Sequence, residues 1–370
     1  MKILLGLMFF SLFPFHQASA FVENTVHGYP SCIACHVAPN GGGLLTDYGR
    51  SLSKELMSTW GISDSFARPF FGVKNRDTVK FGGDIMTAQT YIENNNIDRG
   101  EFFVMQQNIE VGVKVDKVMF IATAGTQEGP EATPDRGQFL SERHYALWSP
   151  TQTSRIQIGK YRQSFGINTP NHTRLIKNTF GFGSLSETYN LEYTQFYETY
   201  EVKFGSSLGR IDQPRNATTE QNISSHYTYY LNENSRIGGS ILMGESTARR
   251  RFLSSINGIL PISKNWLSLF EINYEQSQFA ASPQDNVDTL ASLFRIGYSP
   301  AKGLLWYFVF EHASVDDPAT NYSLIHQPGL GVQWLPVPHI NIQLEYLRQI
   351  SSAAPGNPSN IGFLVFHTYL

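Results

Sequence analysis

Cys32, Cys35 and His36 stand together in the run Cys32-Ile33-Ala34-Cys35-His36, and no other cysteine occurs among the 370 residues. Two thiols two residues apart, followed at once by an imidazole, form the attachment pattern of a c-type haem. One helical turn presents both sulfurs along a macrocycle edge, where they add to the vinyl groups, and the adjoining His36 meets the iron on its proximal face. The plainer readings are a disulfide or half of a zinc site. Zinc would call for more Cys or His at matching spacing, and neither a second CxxC nor an HxxxH is present. The spacing thus predicts one haem c held by Cys32 and Cys35 and ligated by His36.

The distal face of the iron has two candidates. After the turn Pro39-Asn40-Gly41-Gly42-Gly43, Thr46-Asp47 can cap a helix on which Leu52, Leu56 and Trp60 recur at i, i+4. Met57 lies beside that stripe, and its thioether would give His/Met ligation with a raised potential. His27, nine residues before His36, would give two imidazoles and a lower potential. Each has a simpler role, Met57 as a filler against the porphyrin and His27 as an exposed loop residue, and a ligand from farther along the chain stays open.

These residues need something to hold them. Residues 1–20 read as a secretory signal, with Lys2, an apolar run from Ile3 to Phe15 and the small triplet Ala18-Ser19-Ala20. The haem segment, 21–66, is too short to enclose a macrocycle, because small chains bury little of their surface. Residues 67–77 read as a linker, and from 78 to 370 the pattern changes to period two. Phe270, Ile272 and Tyr274 alternate with Glu271, Asn273 and Glu275. Ile340, Ile342, Leu344 and Tyr346 alternate with Asn341, Gln343 and Glu345. Such strands have one lipid face and one wet face.

Composition agrees: 16% of residues are charged and 13% aromatic, against about a quarter charged in ordinary soluble domains. No run after the signal is long and apolar enough for a membrane helix. The net charge of −3 argues against nucleic acid, which would call for a basic stripe. Tight connections at 116–117, 149–153, 232–235, 263–265, 300–303 and 336–339 alternate with longer polar ones, among them 127–138, 162–186, 206–222, 280–287 and 351–360. The expectation is an all-β fold: an antiparallel transmembrane barrel of about 16 strands with both ends in the periplasm, led by a short α-helical haem segment. A barrel of that size has an aqueous lumen unless something plugs it. The haem segment could cap the mouth or enter the bore, and 162–186 could fold inward or form an outside lid.

With Cys32, Cys35 and His36 ahead of a barrel that fills the rest, the chain resembles the fused cytochrome-porins of bacterial outer membranes, whose members include iron oxidases. The resemblance implies electron transfer between an extracellular donor or acceptor, such as ferrous iron, and a periplasmic carrier such as a soluble cytochrome, within outer-membrane lipid. Gly41 to Gly43 followed by Asp47-Tyr48-Gly49-Arg50 departs from the iron oxidases, which leaves the donor open. A shorter stretch, Ile158-Gly159-Lys160-Tyr161 with Phe165-Gly166, is similar to one in anion-selective porins. The competing function is a solute porin whose haem segment is a plug or redox sensor, with Glu110, Lys114, Glu271, Glu275 and Glu345 facing the lumen. No constellation of catalytic His, Arg and acid can be placed from the sequence.

Overall fold

The computed structural model describes residues 28–29, 31–61, 76–133, 135–169, 173–183, 185–212, 219–318 and 322–369. The expected signal, His27 and nearly all of the expected linker lie outside the described residues.

From Val79 onward the chain is strand after strand. They are β1 (Val79–Glu93), β2 (Asp98–Val115), β3 (Val118–Thr126), β4 (Phe139–Leu140 and His144–Trp148), β5 (Ser154–Tyr161), β6 (Thr188–Phe196), β7 (Tyr200–Ser207) and β8 (Gln221–Asn232). Then follow β9 (Ser235–Glu245), β10 (Arg249–Ser263), β11 (Trp266–Phe279), β12 (Ser282–Ala301), β13 (Leu304–Asp316), β14 (Ser323–Trp334), β15 (Ile340–Ser351) and β16 (Ser359–Tyr369). Both pieces of β4 pair with β3, so they form one interrupted strand and the barrel has sixteen. Each strand pairs antiparallel with its neighbour in sequence, and β16 returns to β1 from Asp84↔Tyr369 to Glu93↔Asn360, which leaves no open edge.

Side-chain alternation follows the expected period. In β15 Leu344 is 57% exposed while Glu345 is 2% exposed, and in β11 Ile272 and Tyr274 point outward while Glu271, Asn273 and Glu275 are buried inside. The outward face carries an apolar belt, and Trp148, Tyr197 and Trp266 are exposed beside the short turns, as in the aromatic girdle of a membrane barrel. Among the described residues no helix is long and apolar enough to cross a membrane.

The loop rhythm holds with exceptions. Connections at 94–97, 246–248 and 280–281 are as short as the turns of the opposite end. The expected loop 280–287 is mostly strand, because β11 and β12 keep pairing out to Gln278↔Asn286. At the other end the turns are tight, and residues 116–117 join Val115 to its direct partner Val118.

The N-terminal segment is compact. A single 3₁₀ turn holds Cys32–Ala34, and His36 bridges to Leu45. Thr46 then caps α1 (Asp47–Leu52), its Oγ1 accepting from Gly49 N at 3.0 Å. A wider π turn, Ser53–Met57, ends the helical stretch. Trp60 is therefore not on the expected helix; it stacks edge-on against Trp334, with ring centroids 5.5 Å apart.

Candidate functional site

The bore is filled from both ends. The N-terminal segment enters at the end with the tight turns and is anchored to the rim through its backbone. Thr59 N donates to Leu335 O at 2.8 Å and Trp60 N to Pro336 O at 2.9 Å, while the Arg50 guanidinium donates to Phe81 O. Deeper in, Leu44 is 1% exposed and packs with Ala38, Ile121, Tyr145, Leu147 and Tyr161. Burying a leucine this completely is worth about 1.5–3 kcal/mol, so the segment is docked into the wall and not merely laid across the mouth.

From the opposite end the described parts of the long loop, 162–169, 173–183 and 185–187, fold inward, settling the question the sequence left open. Phe165, Ile167, Ile176 and Phe180 meet inward-facing Leu242, Leu253, Leu269 and Val309. Phe165 stacks flat on Phe182 at 4.9 Å, so the Phe165-Gly166 pair of the porin-like stretch marks where the loop dives in. Gly166 has φ +59°, and any Cβ there would collide with Glu271. The short helix α2 (Leu175–Thr179) and its N-cap residue Arg174 bring two cations to the wall. Arg174 grips Glu345 with two hydrogen bonds of 2.8 and 2.6 Å, and Lys177 Nζ sits 2.9 and 3.0 Å from the two Glu271 oxygens.

The expected lumenal acids therefore have partners. Glu271 and Glu345 clamp α2, and Glu275 holds Arg251 at 3.0 Å. Glu110 faces Arg143 at 3.3 Å, whereas Lys114, on the same strand, is exposed near the rim. These acids brace the filling instead of lining an open channel. In a low-dielectric interior such pairs hold geometry, and losing one partner strands the other charge.

Where the two fillings meet, contact is narrow. Asn40 Nδ2 donates to Arg162 O at 2.6 Å, and Asn168 Nδ2 donates to Asn40 O at 2.7 Å. Around this junction opens one cavity. Cys32, Cys35, His36 and Met57 line it from the segment, and Glu110, Arg143, Tyr161 and His367 are among those lining it from the barrel. Both cysteines are free thiols. Burial pushes the Cys35 thiol up to about 11, helped by its neighbour Cys32. Burial pushes the His36 imidazole down to about 4, opposed by the backbone of Gly43 and Gly42 and aided by Arg143. The ring is thus neutral near pH 7, with one ring nitrogen carrying a lone pair that can bind a metal. His36 Nδ1 is sealed from solvent without a hydrogen-bond partner.

The structure brings Cys32, Cys35, His36 and Met57 to this cavity, while His27 lies outside the described residues. Met57 is 2% exposed and packs with Leu52 and Leu335 beside Cys35 and Tyr369. Arg143 was not singled out from sequence. It sits in the interruption of β4, where Arg143 N donates to Thr123 Oγ1 and Thr123 N to Arg143 O. Such breaks re-aim a side chain, and here the guanidinium is turned toward Glu110. His367 was missed as well, although it follows outward Leu364 and Phe366 in the alternation of β16.

A closed sixteen-stranded antiparallel barrel with an apolar outer belt and an inward loop has the architecture of the outer-membrane porins. The chain is similar to OmpT of Vibrio cholerae, with TM-score 0.63 and 11% identity over 81% of this chain and 100% of that one. It is likewise similar to the outer membrane channel DcaP of Acinetobacter baumannii, at TM-score 0.61 and 12% identity over 81% and 99% of the two chains. An anion-selective porin from Comamonas acidovorans matches at TM-score 0.58 and 10% identity over 79% and 99%. No protein-family model and no curated protein matches the sequence. Those porins are covered almost whole, and about a fifth of this chain lies outside the match.

Proposed function

We infer that the protein is a porin-type barrel of a bacterial outer membrane whose bore is plugged by a segment bearing one covalent haem c, so that the haem governs what crosses the wall. The observation that carries this reading is the shared cavity: Cys32, Cys35 and His36 open onto space whose remaining wall is barrel. A segment too short to enclose a macrocycle is completed by the lumen around it.

The residues fit a c-type haem. Two unbridged thiols and one neutral imidazole face the same space. The run Gly41-Gly42-Gly43 leaves that space clear, and at Gly43, with φ +61°, a Cβ would come within 2.7 Å of Glu110. In attachment, each thiol would add across a vinyl double bond, its sulfur bonding to one carbon and its hydrogen going to the other. Bound there, the group would supply one-electron redox chemistry. Cys32 and Cys35 would hold it covalently, His36 would give a nitrogen ligand, and the apolar cluster around Leu44 excludes water on the side of β3 and β4.

A second reading is favoured by the double closure of the bore. A packed bore hinders solutes, yet electron transfer needs no open pore. In that reading the haem passes electrons between an extracellular donor or acceptor, with ferrous iron a candidate, and a periplasmic carrier such as a soluble cytochrome. Conductance of the purified protein in planar bilayers, oxidised and then reduced, separates the two. The plug reading expects conductance that changes with the state of the haem. Conductance absent in both states, with the haem reduced by ferrous iron from the outer face, would support the conduit instead. A protein lacking covalent haem sinks both.

A further inference from the structure

Besides the motif, three thioethers and one imidazole line the cavity: Met57, Met86, Met105 and His367. They differ in what burial costs them. Met57 and Met86 are 2% and 6% exposed, and a thioether is content in an apolar setting without any partner. His367 is 9% exposed, and both its ring nitrogens are sealed from water with no hydrogen-bond partner. A polar group buried in that way pays its full desolvation penalty, and native interiors seldom leave one so.

The nearest charge does not resolve the deficit. Asp84 Oδ2 lies 3.8 Å from His367 Nε2, too far for a hydrogen bond. It is nevertheless placed as the outer partner of a ligating histidine, in which one ring nitrogen binds the metal and the other turns to a carboxylate. Tyr369, the cross-strand partner of Asp84, also lies beside it, its ring centroid 5.4 Å from that of His367. Tyr369 is tied in turn to the haem segment by a 3.2 Å hydrogen bond between its hydroxyl and Ser53 Oγ. Among the cavity-lining residues, His367 is therefore an imidazole with an unmet requirement, set on a rigid strand beside a carboxylate.

Building on the reading of Cys32, Cys35 and His36 as a haem site, we propose that His367 of the last strand is the distal iron ligand, in place of Met57. The iron then joins two parts of the chain that are distant in sequence, His36 in the docked segment and His367 in β16. Because β16 pairs with β1 to close the barrel, with His367 opposite Met86 in the register, ligation staples the segment to the closing seam. Two imidazoles also set a lower potential than imidazole with thioether.

The test is spectroscopic, on the full-length haem-loaded protein in detergent. The wild type is expected to be low-spin and six-coordinate, with electron paramagnetic and near-infrared signatures of two nitrogen ligands and no thioether-to-iron charge-transfer band. His367→Ala should retain covalent haem but turn high-spin, and added imidazole should restore the low-spin spectrum. His367→Met should keep six coordination and raise the potential, whereas Met57→Leu should leave spectrum and potential in place. A thioether band in the wild type, or an unchanged spectrum in His367→Ala, overturns the assignment even if the variants assemble poorly. Retained covalent haem in those cases leaves the haem reading intact; a wild type without haem ends both.

Discussion

The two fillings of the bore are held by different physics. The inward loop 162–187 presses aromatic and aliphatic side chains onto an apolar stretch of the inner wall and locks α2 with charge pairs among groups no more than 9% exposed. The N-terminal segment is held mainly by hydrogen bonds to the wall, one ion pair between Asp47 and Lys80 and two small apolar clusters, and it leaves a cavity beside its thiols. A filling meant to stay shut has its interior occupied by its own side chains. A filling meant to receive a group leaves room and supplies ligands.

The comparison can be broken first on the loop side. Arg174→Ala strands Glu345 and should cost about 3–5 kcal/mol, the range for removing one member of a buried pair. A lower melting temperature and new conductance from the freed loop are expected; unchanged conductance would show that the loop is not a gate. On the segment side, Leu44→Ala should cost about 2–5 kcal/mol, and the loss should fall on docking. Proteolysis should then nick the segment while the barrel's circular dichroism persists.

Acid should separate the two fillings further. In a haem-free Cys32→Ser/Cys35→Ser protein the docked His36 ring titrates at about 4, against about 6.5 when undocked. The undocked state binds the proton first, so docking weakens as pH falls from about 6.5 to about 4 and levels off below. Protease sensitivity of residues 31–61 should rise through that window and reverse on neutralisation. The smallest change expected is Thr46→Ala, which removes the cap of α1 and costs about 1 kcal/mol, visible as a slight increase in the same nicking.

Much of this was legible in the sequence, for identifiable reasons. Strand alternation showed two faces for β11 and β15 because lipid and lumen impose opposite polarity along one strand. It says less where the inner face is itself apolar, as at Leu267, Leu269 and Leu305. Their cover is supplied mainly by a loop whose inward course is fixed by Lys177 meeting Glu271, residues far apart in the chain. Cys32, Cys35 and His36 were readable since their chemistry depends on local spacing. His367 was not, because its place in the cavity follows from barrel closure, and Arg143 was hidden by the interruption of β4. Trp60 was assigned to a helix that the π turn at Ser53–Met57 ends early.

The central claim is that a porphyrin is bonded to the segment inside this barrel. Mass spectrometry of the denatured chain purified from outer membranes measures it most directly. The expected result is one haem's added mass, retained on the peptide that holds Cys32 and Cys35. The unadorned mass of the mature chain, with both thiols open to alkylation, would contradict it.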